Sequence, residues 1–439
     1  MSSSFFKKIN PAIVRNITLT LFVQFLFYKD ILSVVYGYAG FHFVPNTLNI
    51  INSSVFFLVM VLFTASLKSE SKKFYLGFIL AFLIVPILLL YCFNPIFQRY
   101  TAFVMMCFAS FLAIGIVLHM QPLISFKKIR VAPKIIRRIF FIFVIGGIII
   151  SLFCYIWYCG VRIFNLDFSK VYTYRLLLYY DMPKGFLAYL NTWSFLVLNP
   201  VAMIFSLKLK RYLLFALTLI LQVVFFGFSS AKIAVLLIPL LLMGYWGADW
   251  ILSNAARAFA VISGGIFSLV CFPYFIGYRS IFAINLFRRA FWLPAKIAFE
   301  SYEYFSQHSF AWFRHSFLRH FVLETYPEPS LLLGQHFYSE QTRANIGFLG
   351  AGYYEGGILI MLVYAILIAI IINYLVSLED RVDRKTVFSL SLLILYYFLF
   401  TSDFFTVLLT HGTMLLLFLF WLMGAGIFDV GGKRMSEKI

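Results

Sequence analysis

Charge is scarce in this 439-residue chain: 12% of its residues are Asp, Glu, Lys or Arg, where a soluble domain carries about 25%. Acids are scarcer still, 17 against 36 Lys and Arg. With 62% hydrophobic residues there is too little polar surface to keep the chain in water, which excludes an ordinary soluble globular protein. Cysteine is also rare. The five (Cys92, Cys107, Cys154, Cys159 and Cys271) lie within or at the ends of apolar segments, and no two make a Cys-x-x-Cys pair. That argues against a disulfide framework or a zinc site. His-Glu-x-x-His is missing, as are a Gly-Lys-Ser/Thr phosphate loop and a glycine fingerprint behind a strand. Zincin, nucleotide-hydrolysing and dinucleotide-binding chemistry therefore find no support. No small-residue cleavage site follows the basic N-terminus, so the first apolar stretch is expected to be an uncleaved span.

What the chain has is apolar runs of about 20 residues along its whole length, each enough to cross a bilayer. Twelve spans are predicted, near 17–36, 47–67, 74–93, 100–120, 139–159, 189–207, 212–228, 231–248, 258–277, 346–376, 386–402 and 404–427. Runs of this length in lipid mean helices, because every backbone polar group must be satisfied within the segment. The expected fold is an all-α polytopic membrane protein, a single membrane domain over 1–439. Its net charge of +19 is no nucleic-acid signature, since the basic residues cluster in short connectors, where they set topology. With the N-terminus in the cytoplasm, 22 Lys and Arg fall on that side and 6 in the short connectors opposite. Both termini are thus expected to be cytoplasmic. Two large outer loops result, 160–188 and 278–344. The second is rich in aromatic and charged residues, a mix suited to helices lying at the interface.

Candidate chemistry concentrates in those loops. Arg162 and Arg175 lie in the first; Arg279, Arg288, Arg289, Arg314, Arg319 and Arg343 lie in the second. Guanidinium is always charged and forks onto phosphate oxygens, so such a set beside a membrane points to a phosphorylated lipid. Lys232, at the tight turn after Phe228-Ser229-Ser230-Ala231, can add to it. Arg343 and Asn345 stand at the start of a glycine-rich run, Asn345-Ile346-Gly347-Phe348-Leu349-Gly350-Ala351-Gly352-Tyr353-Tyr354-Glu355-Gly356-Gly357, that enters a span. There a helix dipole favours anions, and small residues also favour close helix contact. His308, His315, His320 and His336 show no metal-ligand spacing, and no metal is expected. His315, His336, Glu303 and Glu324 are the candidate general bases.

The arrangement resembles the O-antigen polymerase (Wzy) family. Tyr172-Thr173-Tyr174-Arg175 resembles its arginine-bearing motif in the first outer loop, and Gly227-Phe228-Ser229-Ser230-Ala231-Lys232 its short basic turn. Arg288-Arg289-Ala290-Phe291-Trp292-Leu293-Pro294-Ala295, then Tyr304-Phe305, Trp312 and His315-Ser316, resembles the entry to its long loop. Asn345-Ile346-Gly347-Phe348-Leu349-Gly350, with Gly352-Tyr353 and Gly356, resembles the exit. One departure is that Arg175 and Gly185 enclose nine residues, where the family is described with Arg-x10-Gly.

The resemblance implies a GT-C-like glycosyltransferase of the bacterial inner membrane. It would move a growing glycan from undecaprenyl pyrophosphate onto a new lipid-linked repeat unit on the periplasmic face. Arg175, Arg279, Arg288, Arg289 and Arg343 would stabilise the departing diphosphate, and Glu303 or His315 would take the acceptor's proton. Tyr172, Lys232, Tyr304, Arg343, Asn345 and Tyr353 would bind substrate. No cofactor is implied. The partners are the undecaprenyl-pyrophosphate-linked oligosaccharide and membrane lipids, with a chain-length regulator and a flippase beside them and no nucleic acid. An O-antigen ligase and a lipid-linked oligosaccharide flippase are the competing readings.

Overall fold

The computed structural model describes residues 9–122, 133–182, 185–316, 321, 324–340 and 342–424. Arg319 and His320, and the end of the expected last span, lie outside them. Among the described residues every regular element is helical. Polar residues between the apolar runs set several helix starts. Asn10, Asn46, Ser69 and Asn254 each accept a backbone N–H of the first turn with their side-chain oxygen. This meets donors that have no partner inside the helix.

Ten helices are long and apolar enough to cross a membrane: a multi-pass, all-α membrane protein. The first nine match the first nine predicted spans. Predicted spans 346–376 and 386–402 fall within one helical run, Phe348–Thr401, of 54 residues. Straight, it would be about 80 Å long, far beyond a hydrocarbon core of about 30 Å. It is not straight. Gly356 and Gly357 leave helical geometry, Gly357 at φ 63 and ψ −147, a region open to glycine for want of a Cβ. Asp383 departs again at φ 153. The predicted last span does not form one long helix: the wide turn Thr406–Thr410 is followed by Gly412 in the left-handed region and a short helix, Thr413–Leu422.

The chain divides into two compact units. The first comprises Met1–Leu123, Trp250–Val376 and Tyr396–Phe404, and the second Ile124–Asp249, Ser377–Leu395 and Phe405–Ile439. The helix Glu70–Phe93 is central to the first, with 94% of its most apolar window buried. In Lys232–Ser253, which belongs to the second as far as Asp249, the share is 28%. Side chains that lipid cannot solvate satisfy one another inside each unit. In the first, the Thr20 and Ser263 hydroxyls meet at 2.6 Å, and Asn16 and Asn373 donate to the carbonyls of Ala256 and Val117 at 2.7 Å. In the second, Asn199 donates to Gln222 at 2.7 Å.

Close approach is enforced at Gly347. A Cβ there would lie 2.1 Å from the Leu399 carbonyl oxygen and 2.9 Å from the Phe400 Cα, both backbone atoms that cannot rotate away. Gly347→Val is expected to destabilise the protein by about 3 kcal/mol or more, the upper range of overpacking. Monodisperse, wild-type yields of that variant in detergent would contradict the contact.

Candidate functional site

In the second unit, three of the predicted residues come together. The helix Val171–Asp181 presents Tyr172 and Arg175 one turn apart on one face. The helix Tyr212–Ser229 ends where Ser230 takes a left-handed φ of 50, its N–H bonding the Phe226 carbonyl at 2.8 Å. That turn delivers Lys232 at the start of the next helix and aims the Ser230 carbonyl at Arg175, whose Nη2 donates to it at 3.0 Å. The exposed Tyr172 ring carries both cations, Arg175 Cζ at 5.9 Å and Lys232 Nζ at 5.5 Å from its centroid. These are cation–π distances. The neighbouring cations of this segment are neutralised: Arg162 by Asp181 at 2.7 Å and Lys170 by Asp167 at 3.9 Å. Among the described residues, no carboxylate lies within ion-pair distance of Arg175 or Lys232.

The first unit sorts its arginines the same way. Arg99 pairs with Glu303 at 2.9 Å, Arg343 with Glu328 at 2.8 Å, and Arg314 with Glu324 at 3.8 Å. Arg279, Arg288 and Arg289 have no such acid among the described residues. Arg288 and Arg289 ride a wide turn, Arg288–Trp292, between the helices Ile281–Phe287 and Leu293–Phe305. The turn is anchored by the fully buried Trp292, stacked on Tyr28 at 4.9 Å with the rings parallel to 1°. Arg288 Cζ lies 4.2 Å from the Tyr36 ring centroid, and its Nη2 donates to Asn285 at 3.0 Å. Its Nε is buried with no hydrogen-bond partner. Arg289 is exposed on the same turn, and Arg279 is exposed beside Tyr274. The pairing thus separates arginines held by a carboxylate from those without one among the described residues.

The remaining predicted residues are placed as follows. Glu303 is held by Arg99. Tyr304 stacks on His308 at 4.1 Å and meets His336 edge-on at 5.2 Å. Tyr353 is buried against Tyr302 at 4.8 Å, and Asn345 is exposed. The helix Leu293–Phe305 is buried from Pro294 to Ser301. Within it Lys296 bonds Glu300, whose other oxygen accepts the Tyr338 hydroxyl at 2.7 Å. Burial pushes the Glu300 carboxyl above the usual range, against the pull of Lys296 and Tyr338.

His315 leads to a residue that the pattern reading passed over. Its Nδ1 lies 3.5 Å from Glu355 Oε1. Glu355 is 1% exposed and directly precedes the Gly356–Gly357 break. Its Oε2 accepts the Phe313 N–H at 2.5 Å and its carbonyl the Trp312 N–H at 3.1 Å, which ties the loop to the break. Burial lowers the His315 imidazole below its ordinary 6.5, partly offset by Asp403 and Glu328. The signal for Glu355 was present: an acid inside an apolar run is a functional candidate in its own right.

Comparisons with protein-family models, with curated proteins and with solved structures each find no match for this chain. Among the described residues, no group of three or more His, Cys, Asp or Glu side chains is gathered to hold a metal ion.

Proposed function

We propose that the chain is a GT-C-type glycosyltransferase of the bacterial inner membrane. It polymerises undecaprenyl-pyrophosphate-linked repeat units on the periplasmic face, with both termini in the cytoplasm. The reading is supported above all by one observation: among the described residues, Arg175, Lys232, Arg279, Arg288 and Arg289 have no carboxylate partner, while Arg99, Arg162, Lys170, Arg314 and Arg343 are paired. Loss of a lipid pyrophosphate builds negative charge on the departing oxygens, and positive donors already in place stabilise it without reorganisation. Aromatic rings beside these cations offer flat faces for sugars. His315, whose imidazole burial lowers below its ordinary 6.5, is the better of the two named bases, because Glu303 is engaged by Arg99.

The test is a deletion strain complemented with variants. Without the gene, surface lipopolysaccharide is expected to carry a single repeat unit. The wild-type gene should restore the ladder, and Arg175→Ala with Lys232→Ala should restore about 1% of it or less, as for a lost transition-state donor. Absence of even the single unit would favour a ligase or flippase. A normal ladder in the deletion strain would reject the proposal.

A further inference from the structure

Glu355 is a carboxylate buried to 1% exposure whose surroundings explain only half of it. Oε2 is accounted for by the Phe313 N–H at 2.5 Å. Oε1 has no hydrogen-bond partner and faces the His315 ring, whose Nδ1 is also without one, across 3.5 Å. A buried carboxylate oxygen without a hydrogen-bond partner is unfavourable, the more so when it carries charge. An unmet pair of this kind calls for an explanation. The backbone holds it in place: Trp312 and Phe313 both take left-handed φ values, 48 and 62. The Ala311 and Trp312 N–H groups bond the Tyr354 and Glu355 carbonyls.

We propose that Glu355 is the positioning residue of the glycosyl transfer, fixing the His315 imidazole with its Nδ1–H toward Oε1 so that Nε2 receives the acceptor's proton. The inference rests on the glycosyl-transfer reading above. In the step, the acceptor hydroxyl gives its proton to His315 Nε2, and its oxygen forms the new bond to the anomeric carbon. The bond from that carbon to the pyrophosphate oxygen breaks, and its electron pair leaves with the lipid pyrophosphate. Glu355 exchanges nothing with substrate. It selects one tautomer and stabilises the imidazolium that forms, as a carboxylate behind a histidine does elsewhere.

The groups facing this pair are Asp403 and Glu328, which act on His315, with Tyr354 edge-on to its ring at 5.7 Å and Tyr364 beside Glu355. Transfer requires Nε2 to be unprotonated, so the rate rises with pH as the His315–Glu355 pair gives up its extra proton. A negative charge at this range holds that proton to higher pH. Removing the charge therefore moves the acid limb to lower pH.

The experiment uses the full chain in lipid nanodiscs, with lipid-linked repeat units extracted from the deletion strain as substrate. Wild type should extend them, with a rate that climbs through an acid limb. Glu355→Gln is expected to lower kcat about 10²-fold, to leave KM within about twofold, and to shift the limb down by about one pH unit or more. Glu355→Asp keeps the charge but retracts it from Nδ1, so kcat should fall while the limb moves down less than in Glu355→Gln. This variant carries the test should Glu355→Gln fail to fold. An unmoved limb in Glu355→Gln, or wild-type kcat in Glu355→Asp, would overturn the inference and leave the glycosyl-transfer reading standing. No polymer from the wild-type protein would overturn both.

Discussion

Arg289→Ala is expected to reduce glycan extension about 10²–10³-fold, the loss seen when one preorganised donor to a developing anion is removed, while membrane insertion and protein level stay normal. Arg289 is exposed on the turn Arg288–Trp292. No described carboxylate sits within ion-pair distance, so its removal leaves no partner stranded in the fold. The matched control is Arg343→Ala. Arg343 is exposed too, but Glu328 already takes its charge at 2.8 Å, and exposed pairs contribute about 0–1 kcal/mol. Extension by that variant should stay within a few-fold of wild type. Ladder length in the complemented deletion strain, with immunoblotting of the membrane fraction, reads both. Full-length chains from a stably inserted Arg289→Ala protein would remove Arg289 from the site. Equal losses from both variants would show that local charge, and not freedom from an acid, decides the matter. Arg289→Lys adds a finer measure, because an ammonium keeps the charge and loses the two-pronged grip on phosphate.

The second large effect concerns the frame that carries these arginines. Glu300→Ala is expected to destabilise the first unit by about 3–5 kcal/mol, because it leaves the Lys296 ammonium buried without its counter-charge. Lys296 and Glu300 side chains are 10% and 5% exposed, so water cannot replace the missing carboxylate. The Tyr338 hydroxyl loses its acceptor at the same time. Burial raises the Glu300 carboxyl despite the attraction of Lys296. Replacing both partners with apolar residues of similar volume, Lys296→Met with Glu300→Met, should therefore recover most of the loss. Thermal unfolding in detergent distinguishes the cases. A single variant that melts with wild type would mean that solvent reaches the lysine.

Why one reading of the chain succeeds and another fails can be traced to particular residues. The first nine spans were legible because an apolar run in lipid has one economical solution, a helix whose backbone bonds close within the segment. Asn10, Asn46, Ser69 and Asn254 then mark starts where a side-chain oxygen can meet the free N–H groups of the first turn. The C-terminal end was less legible. The connector expected at 377–385 is itself helical up to Asp383, and a helical connector looks no different from a span boundary in composition.

The candidate site was legible as residue types and illegible as partnerships. Tyr172, Arg175 and Lys232 could be singled out by chemistry and motif, and they do share one patch. Nothing local, however, tells Arg343 from Arg289. The acid that neutralises Arg99 is 204 residues away, and the one that neutralises Arg343 is 15 away across a helix and a turn. Lys296 and Glu300 read as an ordinary solvated pair one turn apart, yet Phe97 and Tyr338 enclose that helix. Glu355 was hidden among glycines that suggested packing.

The amino-acid order alone determined that the chain lives in a bilayer as helices, since hydropathy and backbone satisfaction depend only on what stands next to what. Which cations remain available to an anion, and which carboxylate stands behind His315, was decided by the tertiary structure. Those properties depend on distances between residues remote in sequence, and on the burial that sets how strongly each charge is felt.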